Sequence, residues 1–125
     1  MKNKVNKPFK NKNFFEALKN SINGIVLAFI SESNIKIDVV ATIVVIIAAI
    51  IIKVTYIEML ILVLTIGLVL FAEMFNSAIE NTVDLITEEY NEKAKIIKDI
   101  SAGAVLITSI AAVIIASIIG VNKVI

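Results

Sequence analysis

The run ISAGAVLITSIAAVIIASIIGV, Ile100 to Val121, carries no charged side chain. It is long enough to cross a bilayer, which takes roughly 20 apolar residues as a helix. Within hydrocarbon every backbone N–H and C=O must find its partner inside the segment, so the run dictates a helix. Two more apolar segments precede it. Val39 to Ile57 is broken only by Lys53, near an end where a long side chain reaches the interface. The next begins after Glu58 and stays apolar to Ala72. It is too short alone and spans only if its helix continues through Glu73 towards Asp84. Spanning helices are therefore expected over 38–57, 59–84 and 100–121. With 125 residues, 58% of them hydrophobic, and a mean hydropathy of +0.93, the chain reads as one all-α integral membrane domain.

Upstream, Phe14, Leu18, Ile22, Ile25 and Phe29 recur every three or four residues, with Glu16, Lys19, Asn20 and Asn23 on the other side. That period predicts an amphipathic helix over 13–34, lying in the headgroup plane after a basic leader over 1–12. Charge and amide groups recur through Asn23, so no signal peptide is expected. All 12 basic residues are lysines, and Lys2, Lys4, Lys7, Lys10, Lys12 and Lys19 crowd the N-terminus. Lys93, Lys95 and Lys98 mark the connection before the last span, whereas Lys53 and Lys123 stand alone. This asymmetry predicts a multi-pass membrane protein with N-terminus and second connection cytoplasmic and C-terminus outside. A net charge of +1 argues against a nucleic-acid partner. The lack of Cys and His removes disulfides, thiolate nucleophiles, Ser–His triads and the usual zinc ligands.

The second span ends unusually. In FAEMFNSAIENTVD, Glu73, Asn76, Ser77, Glu80 and Asp84 fall at helical offsets 0, 3, 4, 7 and 11, one stripe on one face. A carboxylate within the bilayer costs about 2.5–3.5 kcal/mol on insertion scales, so these acids need compensation by cations, lysines, a proton or a neighbouring subunit. Lys95, Lys98, Asp99 and Ala102 share a face just before the third span, and Glu32 closes the surface helix. Acidic oxygens from two elements beside an ammonium suit magnesium and phosphate. Asp84, Glu88 and Glu92 are explained equally well as interfacial charges flanking a span. No GxxxxGK[ST] loop occurs, which excludes a P-loop ATPase.

The segment EMFNSAIENTVDLITEEYNEKAKIIKDISAGAVLI, Glu73 to Ile107, resembles the prokaryotic diacylglycerol kinase and undecaprenol kinase family of small membrane lipid kinases. The glutamate, the Asn-Ser-Ala-Ile-Glu run, the following aspartate, the Lys-Asp pair and the Ala-Gly-Ala-Val-Leu opening of the last span carry the resemblance. It implies a homotrimer with active sites shared between subunits, which transfers the γ-phosphoryl group of ATP to a lipid hydroxyl. By matching position, Glu73 is the implied general base and lipid contact, with Asn76 beside it orienting the reacting groups. Glu32 and Glu80 are the implied Mg2+ and nucleotide ligands. Lys98 and Asp99, with Glu89 and Tyr90, are the further nucleotide contacts, and Ala102 is a lipid contact. The stripe of Ser109, Ala112, Ala116 and Gly120 would permit the close helix packing of such an assembly. Where many relatives have Tyr and His, this chain has Asn20 and Asn91.

The phrases AIENTVDL, EYNEKAKIIKD and AGAVL look more like the Gram-positive branch, whose members prefer undecaprenol, than the branch acting on diacylglycerol. Heavy use of Ile, Asn and Lys without Arg, typical of AT-rich genomes, points the same way. Undecaprenol is thus the expected substrate, with diacylglycerol the alternative. The implied role is supply of undecaprenyl phosphate, the carrier of cell-wall precursors. The rival from another class is a channel or transporter subunit with Glu73 and Glu80 on an ion path. Against it, the acids gather at one leaflet and Ile43 to Ile52 offers no polar group.

Overall fold

A computed structural model describes residues 10–125 of the chain. Most of the expected basic leader, including Lys2, Lys4 and Lys7, lies outside the described residues. Four helices follow: α1 (Phe14–Ser31), α2 (Ser33–Ile51), α3 (Tyr56–Ile86) and α4 (Glu92–Val124). The last three are long and apolar enough to cross a membrane. At 1.5 Å per residue α3 and α4 run about 46 and 50 Å, beyond the ~30 Å hydrocarbon core, so each projects from it.

The helix limits differ from the limits of the apolar runs because local hydrogen bonding sets them. The Asn13 side chain caps α1 by accepting from the Glu16 N–H at 2.9 Å. Glu32 alone separates α1 from α2. Its backbone is extended, yet its N–H donates to the Ala28 carbonyl and its own carbonyl accepts from Lys36 N–H, so the chain bends without losing either ladder. At the far end α2 stops within the apolar run. Lys53 adopts a left-handed backbone (φ 58), Lys53 N–H donates to Ile50 and Val54 N–H to Ala49. These are the two bonds of a Schellman cap, formed here without its usual glycine. Thr55 and Glu58 then start α3 with reciprocal bonds of 3.1 and 2.8 Å, a capping box. Asn91 caps α4 by accepting from the Ala94 N–H.

In the packed chain α4 lies chiefly on α3, while α2 meets α3 and α1 meets α2. A small core of Ala49, Leu62 and Ile119, backed by Val45, Val54, Met59 and Ile115, closes the end near the α2–α3 turn. Beside it, half-buried Lys123 donates to Glu58 at 3.2 Å and ties the end of α4 to the start of α3. At the opposite end Lys98 donates to Asp84 at 2.8 Å. The two ion pairs lie about 39 Å apart along α3 and clamp one α3–α4 register at both ends. The small-residue stripe of α4 faces inward: Ser109, Ala112 and Ala116 line a groove with residues of α2, and Ala116 and Gly120 line the next. Long rows of Ile, Val, Leu and Phe remain exposed on every helix, as befits surfaces that meet lipid or other copies.

The left-handed turn at Lys53 carries a testable strain. Lys53→Gly keeps both cap bonds and removes the Cβ clash, so it should stabilise the fold by about 1 kcal/mol. A raised thermal midpoint in detergent checks this; a lowered midpoint would contradict the turn described.

Candidate functional site: an acidic cluster between α2 and α3

One register places an apolar contact and a polar one in line. Asp38 stands eleven residues before Ala49 on α2, and Glu73 eleven after Leu62 on α3, about three turns in each case. The antiparallel pair that buries Ala49 with Leu62 therefore brings Asp38 to Glu73 on the same two faces. Asp38 Oδ2 is shielded from solvent there and meets no hydrogen-bond partner. Glu73 is only 8% exposed, the most buried charged side chain among the described residues.

Two further acids lie within electrostatic range of Glu73: Glu32 at the bend between α1 and α2, and Glu80 two turns along α3. Both are half-buried. None of the four acids is ion-paired among the described residues, since the three salt bridges use Asp99, Asp84 and Glu58. Four neighbouring carboxyl groups without a cation form a strongly negative patch, suited to protons or hard cations. Among the described residues no group of three or more acidic, His or Cys side chains is close enough to form a closed metal cage.

Asn76 turns from this face towards α4. Its Oδ1 is shielded from solvent and accepts no hydrogen bond, an unmet acceptor facing incoming donors. It lines a 560 Å³ groove with Phe71, Phe75, Ile100, Ser101 and Thr108, among others. The rings of Phe71 and Phe75 stand 4.6 Å apart on its wall. This groove is apolar and open to the side, with a few polar atoms near Asn76, the form that a lipid chain ending in a hydroxyl requires. Of the expected lipid contacts, Ala102 is exposed on α4, and the groove is lined instead by its neighbour Ser101, 7% exposed.

A second groove, 370 Å³ and more polar, opens at the end of α3 and the start of α4. It gathers Glu89, Tyr90, Lys98 and Asp99, as the sequence suggests, together with Asp84 and Lys95. Tyr90 is 81% exposed. Lys95 donates to Asp99 at 2.6 Å and Lys98 to Asp84, so each lysine is held by an acid of the chain. Glu80 stands on α3 between Glu73 and the residues that line the polar groove. Single-helix periodicity assigns no role to Asp38. The signal available was one acid within reach of a span and without a partner, the same anomaly that singles out Glu73.

The profile of the prokaryotic diacylglycerol kinase family matches residues 19–120. A diacylglycerol kinase of Synechocystis is 42% identical over 93 residues, 74% of this chain and 53% of that protein, so the match spans about half its length. An undecaprenol kinase of Bacillus subtilis is 34% identical over 110 residues, covering 88% of this chain and 89% of the relative. A diacylglycerol kinase of Escherichia coli is 37% identical over 91 residues, 73% and 75% of the two chains. From the helices that carry the acids to the profile that spans them, the chain belongs to the prokaryotic diacylglycerol kinase family.

Proposed function

We propose that the chain transfers the γ-phosphoryl group of ATP to the hydroxyl of undecaprenol, giving undecaprenyl phosphate. The observation that carries this reading is Glu73, a buried carboxyl on an apolar helix with three further acids around it and an apolar groove one turn away. The near full-length match to an undecaprenol kinase supports the choice of lipid. Diacylglycerol is the second reading, favoured by the higher identity of the Synechocystis relative.

In this reading the groove beside Phe71 and Phe75 seats the isoprenoid chain with its hydroxyl at Asn76, one turn from Glu73, while Ala102, exposed on α4, meets lipid outside the groove. The Oδ1 of Asn76 accepts from the lipid hydroxyl or a nucleotide donor and so orients the reacting groups. Glu73 takes the hydroxyl proton as the lipid oxygen bonds to the γ-phosphorus and the bond to the β,γ-bridging oxygen breaks, releasing ADP. Lys98 leaves Asp84 for the phosphates, while Asp99, Glu89 and Tyr90 contact the rest of the nucleotide. Glu32 and Glu80 offer hard oxygens from two elements. Those two carboxylates would hold the magnesium ion that accompanies ATP. When bound, the ion neutralises charge on the phosphate oxygens.

The acidic end belongs at the cytoplasmic leaflet by the lysine asymmetry, where ATP is available. The exposed apolar faces suit a homotrimer in which neighbouring subunits complete the open grooves.

The test uses purified protein in micelles with labelled ATP and magnesium, offering undecaprenol and a diacylglycerol side by side. Label is expected chiefly in undecaprenyl phosphate. Labelling of neither lipid would overturn the kinase reading, and a wide margin for diacylglycerol would overturn the substrate. Glu73→Gln should lower kcat by about 10²–10⁴-fold while leaving the oligomer intact, and retained turnover would remove Glu73 as base. Lys98→Met should raise the KM for ATP by about tenfold or more, as the loss of a charge-assisted phosphate contact implies, with little effect on the KM for lipid.

A further inference from the structure

Among the described residues Glu73 and Ser101 are the only buried polar side chains, and Ser101, 7% exposed, has no function in the mechanism above. Serines and threonines inside helices commonly turn the hydroxyl back onto their own backbone. This chain follows that habit elsewhere: Ser21, Ser31, Thr42, Thr65 and Thr82 each donate to the carbonyl four residues before, at 2.6–2.8 Å. Among the described residues the Ser101 hydroxyl makes no such bond, and its side chain lines the 560 Å³ groove between α3 and α4.

Three polar side chains interrupt the apolar lining of that groove: Asn76, Ser101 and Thr108. Thr108 is committed, because its hydroxyl donates to the Val105 carbonyl at 2.8 Å. Asn76 offers a shielded Oδ1 that accepts nothing. Ser101 thus supplies an unengaged hydroxyl donor from α4 and Asn76 an unengaged acceptor from α3. Buried polar groups cost stability when unpaired, so a groove that holds one of each suits a ligand that satisfies both. An alcohol does so with a single oxygen, which donates one hydrogen bond and accepts on two lone pairs. Position along the helices fits the reaction as well. Asn76 stands three residues from Glu73, and Ser101 three from Lys98, about one turn in each case.

We propose that Ser101 binds the lipid substrate by donating to its hydroxyl oxygen, while Asn76 accepts the hydroxyl hydrogen. This rests on the reading of the groove as the lipid site. The Ser101 bond occupies one lone pair of the lipid oxygen and leaves the other for the γ-phosphorus. In the transfer the lipid O–H bond breaks and its proton passes to Glu73. The oxygen bonds to phosphorus, and the bond to the β,γ-bridging oxygen breaks to release ADP. The ester oxygen of the product has no hydrogen to offer Asn76, so the phosphorylated lipid keeps one contact where the alcohol has two. A serine kept only for its size, to let α3 and α4 approach, would be replaced by Ala without effect.

The experiment compares full-length wild type, Ser101→Ala and Ser101→Thr in micelles, with the lipid alcohol that the wild type phosphorylates best. Ser101→Ala should lower kcat/KM for the lipid by about five- to tenfold, the loss of one ordinary hydrogen bond. The KM for ATP and the thermal midpoint should stay near wild type. Ser101→Thr keeps a hydroxyl and should retain most of the wild-type value. The methyl ether of the same lipid keeps the oxygen but cannot be phosphorylated. It should inhibit the wild type, with an inhibition constant raised by a similar factor in Ser101→Ala. Wild-type kinetics in Ser101→Ala, or an unchanged inhibition constant, overturns the proposal and leaves the kinase reading standing. A loss shared by lipid and ATP with a lowered midpoint gives Ser101 a structural role and also overturns it. Failure of the wild type to phosphorylate undecaprenol or a diacylglycerol overturns the kinase reading, and the role of Ser101 with it.

Discussion

A carboxyl group in an apolar helix wall must be compensated, and much of this structure follows from how Glu73 meets that demand. Its insertion carries a cost of about 2.5–3.5 kcal/mol. No lysine comes to it among the described residues. Other acids surround it instead, so the protein sustains a negative site that water, a proton or an incoming cation must balance. A fold under selection for stability alone would place Leu or Ala at such a position. The surrounding helices hold the arrangement because they are packed elsewhere, by the small core at the far end, where Lys123 also ties α4 to Glu58 of α3.

That division of labour explains the sparse interior. Few side chains among the described residues are buried, and those that are cluster at the end away from the acids or stand singly along the seams. The α2–α3 register serves both ends at once: three turns from the Ala49–Leu62 contact, the same faces present Asp38 and Glu73. A slip of one residue on either helix would rotate the acids about 100° apart and separate them. The apolar groove on the α4 side and the polar groove at the head of α4 then lie on either side of Glu80, which stands on α3 between Glu73 and the residues that line the polar groove. The proposed chemistry needs that juxtaposition, with a lipid arriving from the membrane and a nucleotide from water.

Much of this was legible in the sequence. The apolar runs gave the spanning helices, and the offsets from Glu73 to Asp84 gave the acidic face, because one helix's periodicity is enough for both. Glu89, Tyr90, Lys98 and Asp99 were named together only through the family resemblance, and the structure lines one groove with all four. Pairings between helices were not legible. Asp38 was absorbed into the edge of a span because its partner lies across a seam, and the Lys98–Asp84 bond is likewise a property of the α3–α4 register. The end of the surface helix at Glu32 was read from the sequence, but the one-residue bend there and the left-handed backbone at Lys53 use neither proline nor glycine, so their geometry had no local signal. The small-residue stripe of α4 was visible, but only the structure shows α2 as its neighbour within the chain.

A buried carboxyl beside a phosphoryl donor can act as base or as nucleophile, and the two differ in one observable. A base permits a single in-line displacement, whereas a nucleophile forms a phosphorylated carboxylate and requires two. The direct measurement is the configuration at phosphorus in the lipid product made from ATP chiral at its γ-phosphorus. Inversion is predicted, with Glu73 accepting only the proton; retention would contradict the account by showing that the phosphoryl group had rested on the protein.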